Sequence, residues 1–257
     1  MKCGFLIVLL VLAQPLPGQI AQESRFTDVT LSAPFSEFIV GLKKLNRNSE
    51  VSFLKTLSAR AHHLFLRKYV AYSHVENIFK SGNYDCLSGT YFFCATLDQF
   101  GFRYRIIETN YHIFLLVQTA RGDVLLESTD RANGVINDEK TVGEKLEAYR
   151  TRSGVSISSA LYLSDVLLFH ELEPEQLPGL LYFNLAVEAY NKKDFFACGG
   201  YLEKAWKIYD NPRIERFIPI LIHSIHTTAA MDRSQKERLM MLLKSYPTKS
   251  MPTLAAN

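Results

Sequence analysis

No segment of this chain reaches the roughly 20 consecutive apolar residues that a membrane-crossing helix needs; the apolar run Gly4–Ala13 is too short, and nothing later is long enough. A membrane span is therefore not expected. Cysteine is scarce as well, with four in 257 residues. Cys3 lies before the apolar run, which leaves Cys86, Cys94 and Cys198, too few for a disulfide scaffold. Cys86 and Cys94 are separated by about 12 Å if they share a helix, beyond the ~7 Å Cα limit of a disulfide. Either Cys94 pairs with Cys198 or all three are thiols. A charge imbalance is also missing: 29 Lys and Arg face 26 Asp and Glu, net +3. With no basic face interleaved with aromatics, nucleic acid is not an expected partner. There is no phosphate-binding glycine loop, dinucleotide fingerprint or serine nucleophile elbow. The pairs His62-His63 and His223/His226, with His74 and His170, lack convergent Cys, Asp or Glu spacing, so neither a zinc site nor any other cofactor is expected.

What is present begins with an export pattern. Lys2 precedes Gly4–Ala13, and Pro15, Pro17 and Gly18 break the run before the polar stretch Gln19–Ser24. Residues 1–21 read as a secretory signal, cut after Ala13, Gly18 or Ala21. Losing Lys2 takes the net charge from +3 to +2. The expected product is secreted or periplasmic. A hydrophobic fraction of 47% suits a globular chain.

Three regions follow. From Ser32 to about Lys80 the pattern is helical: Pro34–Leu42, then Val51–Leu57, then a long segment through His62, Leu64, Phe65, Tyr69 and Val75. The second region, Asn83 to about His170, alternates in character. Leu87-Ser88-Gly89-Thr90-Tyr91 through Phe100 has helical spacing with apolar residues on two flanks, which marks a buried helix stopped by Gly101. Phe102–Ile107, Tyr111–Val117 and Val124–Leu126 read as strands, the last two joined by a turn that includes Arg121-Gly122-Asp123. The third region starts after Glu173-Pro174 and Leu177-Pro178-Gly179, a linker or helix-start signal. There, Tyr182, Leu185, Ala186, Cys198, Leu202, Ala205 and the closing Pro212 resemble one tetratricopeptide repeat, with its turn at Lys193-Asp194-Phe195. Arg213–Thr227 and Ser234–Tyr246 are candidates for a second helical pair, and the tail beyond Tyr246 reads as frayed.

The chemistry concentrates in the middle region. Cys86 opens the buried helix, where free backbone N–H groups and the positive dipole end favour a thiolate and can hold an oxyanion. Asn83 or Asp85 is the candidate cap, and the Asp85 charge opposes thiol ionisation. His112 starts the next-but-one strand, on the face of Phe114 and Leu116. A thiol, a base and an orienting acid form a nucleophile set. The acid depends on strand register: a three-residue loop at 120–122 sets Asp130 opposite His112, whereas a four-residue loop at 119–122 sets Glu127 on the histidine face. Spacing leaves both open.

The stretch from Tyr84 to Asp130 resembles the transglutaminase-like branch of papain-like cysteine enzymes. A Cys opens a buried helix, a His lies on a following strand, and an acid stands in a segment similar to Leu126-Glu127-Ser128-Thr129. The resemblance implies an α+β fold: a helix carrying Cys packed on an antiparallel sheet carrying His and acid, over 32–170, with helical repeats over 176–247. It assigns Cys86 as nucleophile, His112 as base and Glu127 as orienting acid. The implied activity is acyl-thioester chemistry on an amide of a protein or peptide, with hydrolysis expected over crosslinking. The competing expectation is a non-catalytic protein-binding module built from the same parts.

Overall fold

The computed structural model describes residues 26–30, 32–45, 49–153 and 169–246. The expected signal at 1–21 and the tail after Tyr246 lie outside the described residues.

The N-terminal helices are α1 (Thr27–Thr30), α2 (Ala33–Lys43) and α3 (Glu50–Leu64). Ser32 and Ser49 cap α2 and α3 by accepting from the backbone N–H groups of Phe35 and Ser52. The long helical segment expected through Tyr69 and Val75 is not continuous. The chain leaves α3 after Leu64, forms the two-residue strand β1 (Lys68–Tyr69), and resumes as α4 (Val75–Lys80). Helical spacing of apolar residues survived this interruption because Phe65, Leu66 and Ile78 all face one core. β1 pairs in parallel with β2 (Asn83–Tyr84), matching Tyr69 with Tyr84, and β2 runs into the central helix α5 (Cys86–Asp98).

Helix α5 is buried from Leu87 to Leu97. Phe92 meets Phe35 at 5.6 Å edge-on, with Phe38, Phe65 and Phe79 around it, so the N-terminal helices wrap one side of α5. Its other side lies on a five-stranded antiparallel sheet of β3 (Tyr104–Thr109), β4 (Ile113–Thr119), β5 (Gly122–Leu126), β6 (Val135–Ile136) and β7 (Phe169–Leu172). The spatial order is β6-β5-β4-β3-β7. Alternation sorts the strand residues: Ile106, Ile113, Leu115, Val117, Val124 and Leu126 join the core under α5. Ile107, Phe114, Leu116 and Leu125 point the other way, onto Val142 and Tyr149 of α6 (Glu139–Ser153). The described part is therefore α+β, with a sheet between helices.

The stretch read as linker or helix start is the latter. A 3-10 turn at Pro174–Gln176 leads straight into α7 (Leu177–Asn191), followed by α8 (Phe195–Trp206), α9 (Pro212–Thr227) and α10 (Arg233–Lys244). Asp194, Asn211 and Asp232 cap the last three through their side chains. Lys193, at φ 61°, turns the chain between α7 and α8. One hydrophobic cluster runs from Phe26 to Leu243 through both halves. None of Cys86, Cys94 and Cys198 is in a disulfide, so the Cys94–Cys198 pairing is not formed. Among the described residues no helix is long and apolar enough to cross a membrane.

Candidate active site

Cys86 is the first residue of α5, and Asp85 is its cap. The Asp85 carboxylate accepts from the Ser88 backbone N–H and hydroxyl, both at 2.7 Å, while the Ser88 hydroxyl accepts from Asp85 N–H at 2.9 Å. The nearby backbone N–H groups of Ser73 and Leu87 also favour the charge of this carboxylate. This reciprocal box holds the first turn of α5 against β2. The Ser128 hydroxyl then bonds to the Cys86 carbonyl at 3.2 Å, tying the helix start to the chain leaving β5.

The strand register decides which acid meets the histidine. Leu115 pairs with Leu126 and Thr119 with Gly122, so only Ala120 and Arg121 form the turn. That register is the one expected from a four-residue loop, extended by one more pair. It sets Glu127 on the face of His112, and the His112 Nε2 lies 3.0 Å from Glu127 Oε1. Asp130 instead accepts the backbone N–H groups of Ala132 and Asn133 and closes a turn.

His112 is fixed from both ends. Its backbone N–H donates to the Thr109 hydroxyl at 2.9 Å, and its carbonyl accepts from the Thr109 N–H at 2.8 Å. Its ring sits 5.5 Å from that of Tyr149. Glu127 is held as firmly, accepting from the Thr129 hydroxyl at 2.9 Å and the Tyr149 hydroxyl at 2.8 Å, with Lys145 Nζ at 3.8 Å. Burial works against the Glu127 charge, but the bond and charge of His112, together with Tyr149 and Thr129, outweigh it and hold the carboxyl down at about 2. Tyr149 was missed in the sequence because it arrives from α6, 22 residues beyond Glu127, with no local pattern to mark it. Thr129 carried a weak signal, standing two residues from Glu127 just after β5.

The thiol meets the residues next to this pair: Ser128, which follows Glu127, bonds the Cys86 carbonyl, and the Ile113 N–H faces the sulfur. Backbone N–H groups of Leu87, Ile113 and Cys86 itself favour its charged form, and Ile113 directly follows His112. Cys86 is half-buried. Burial and, next, the Asp85 charge push the thiol up to about 12 despite those donors. Of the two opposing influences expected at the helix start, the donors and the Asp85 charge, the carboxylate together with desolvation outweighs the donors. Tyr69 shares this neighbourhood, its phenol pushed up to about 12 by burial and then by Cys86 and Asp85. Among the described residues no His, Cys, Asp and Glu group is arranged to hold a metal ion. The arrangement can orient an imidazole, leave its Nδ1 for a proton, and present backbone donors at a thiol.

No protein-family model, curated protein or solved structure matches this chain.

Proposed function

We propose that the chain is a cysteine-dependent acyl-transfer protein of the transglutaminase-like class that cleaves or exchanges an amide through a thioester, with hydrolysis favoured over crosslinking. The observation that carries the reading is the 3.0 Å contact of His112 with Glu127, whose chain neighbours Ile113 and Ser128 both meet Cys86 at the helix N-terminus. Because Nε2 is engaged by the acid, Nδ1 is the ring nitrogen free to take the thiol proton. The resting thiol is neutral, so its proton passes to His112 as sulfur attacks the amide carbon. The oxyanion is met by backbone N–H groups at the start of α5. His112 then gives that proton to the leaving amine. Water, deprotonated by His112, attacks the thioester, and collapse releases the acid and returns the proton to sulfur. Bulk water outcompetes an amine wherever no channel guides the amine, which favours hydrolysis. The α7–α8 pair is read as a tetratricopeptide-like unit packed on this domain, and the product as secreted or periplasmic.

The raised thiol favours a second reading, a non-catalytic protein-binding module on the same fold. Iodoacetamide labelling across pH 6–9, read by peptide mass, separates the two. The enzyme reading expects Cys86 to label at least roughly tenfold faster than the fully buried Cys94 and Cys198 near neutral pH, with His112→Ala removing most of that rate. A Cys86 rate indifferent to His112, rising only at high pH, would transfer the assignment to the binding module.

A further inference from the structure

Glu127 stands one residue past the end of β5, where its backbone is still held by the bond from its N–H to the Gly134 carbonyl at 2.7 Å. Its side chain is free to turn about the last torsion, which is broad for a glutamate, unless partners on both oxygens stop it. The two oxygens have different partners. Oε1 meets His112 Nε2 at 3.0 Å and accepts from the Thr129 hydroxyl at 2.9 Å. Oε2 faces α6, accepting from the Tyr149 hydroxyl at 2.8 Å with Lys145 Nζ at 3.8 Å, the two side chains being one helical turn apart. One oxygen is thus left to the imidazole because α6 occupies the other.

Tyr149 meets the histidine directly as well. Its ring lies 5.5 Å from that of His112 at 39° and 4.7 Å from that of Phe114 at 27°, while His112 and Phe114 are 6.1 Å apart. The three rings pack pairwise, so the imidazole plane and the acid are both held by one residue. Packing alone would need only the ring, and phenylalanine would fill the same space. A hydroxyl on a residue 9% exposed, aimed at a carboxylate oxygen, is what packing does not require. Tyr149 also belongs to a small core with Ile107, Phe114, Leu116, Leu125 and Val142, separate from the main core under α5. Removing its hydroxyl therefore leaves the packing around the Cys86 helix in place.

We propose that Tyr149 is a positioning residue of the Cys86 site: its hydroxyl fixes the Glu127 carboxylate and its ring fixes the His112 imidazole, so that Nε2 stays on the acid and Nδ1 is left for the thiol proton. The inference deepens, and rests on, the reading of His112 as the base. It gives α6, on the far side of the sheet from Cys86, a part in the chemistry.

The test is Tyr149→Phe in the full chain, which keeps the ring and removes the hydroxyl. A ring nitrogen that bears hydrogen and one that bears a lone pair resonate far apart, so the two 15N shifts of His112 at pH 8 read its tautomer. The unaltered chain should show widely separated shifts, and Tyr149→Phe should bring them together as the tautomers mix. Iodoacetamide labelling of Cys86 near neutral pH should slow about threefold, the scale of one net hydrogen bond and only part of the loss caused by His112→Ala. An unchanged 15N separation, with circular dichroism intact, overturns the proposal whatever the rate and leaves His112 oriented by Glu127 alone. Should Tyr149→Phe lose its circular dichroism, Lys145→Glu at the half-exposed neighbouring position sets a second carboxylate beside Oε2 to compete for the hydroxyl, and the same merging or constancy of the shifts decides. If Cys86 labels at one rate in the unaltered chain, Tyr149→Phe and His112→Ala, the base reading fails instead. The 15N shifts then decide Tyr149 by themselves: merging sustains it as the residue that orders the His112–Glu127 pair, and constancy overturns it.

Discussion

Asp85 has two effects on Cys86 that oppose each other. As a cap it orders the first turn of α5 and so aims the backbone donors that would stabilise a thiolate or oxyanion. As a buried charge it raises the thiol, second only to burial itself. Burial also raises Asp85 above the usual carboxylate range, so the charge is held at a cost within the fold. Asn preserves the acceptor for the Ser88 N–H and removes the charge. Asp85→Asn should therefore lower the apparent thiol pKa in a pH–rate profile of iodoacetamide labelling and speed the reaction near pH 7. Each unit of fall gives about ten times more thiolate but a weaker nucleophile, a net gain of about threefold. A profile that stays in place would mean that desolvation alone sets the thiol.

At the scale of elements, the site depends on how closely α5 approaches the end of β5. Gly89 is the closest point: a Cβ there would meet Ser128 Cβ and Oγ at 2.8 Å and the Tyr84 ring at 3.1 Å. Gly89→Ala should destabilise the fold by about 1–3 kcal/mol, the usual cost of overpacking, and slow Cys86 labelling as the helix start moves away from His112. Ser128→Gly in the same chain should restore much of both, and a double-mutant cycle in urea would measure the coupling. Additive losses would show that the two residues do not compete for the same space. The approach of Gly89 to Ser128 also illustrates what was legible in the sequence. The helix from Cys86, its stop at Gly101, the strands that follow and the four C-terminal helices all carry local patterns of period, cap and turn. The choice between Glu127 and Asp130 hung on one residue of register, which only strand pairing resolves. β1 was hidden inside helix-like spacing, and β7 has four residues whose partner, β3, lies some 60 positions earlier in the chain. Tyr149 reaches Glu127 through packing between distant segments, where a single sequence offers no periodic signal.

Across the whole molecule, the two halves are joined by a buried charge cluster as well as by apolar packing. Glu108 of β3 is 2% exposed and pairs with Arg213 of α9, itself buried over the Phe183 ring. The Tyr209 hydroxyl donates to Glu108 Oε1 at 2.6 Å and accepts from Arg213 at 2.5 Å. His170 Nε2 stands 3.4 Å from the other carboxylate oxygen, and burial lowers its pKa, which favours the neutral ring. Burial alone pulls Arg213 down to about 9, still charged at neutral pH. Such a pair adds little over a well-packed apolar substitute, yet breaking one side strands a charge in the interior. Arg213→Met should therefore lower stability by about 3–5 kcal/mol, and the double variant Glu108→Gln with Arg213→Met should recover much of the loss. Thermal unfolding followed by circular dichroism reads both. Equal stability of single and double variants would show that Glu108 finds water or another donor once Arg213 is gone, and that apolar packing alone holds the halves together.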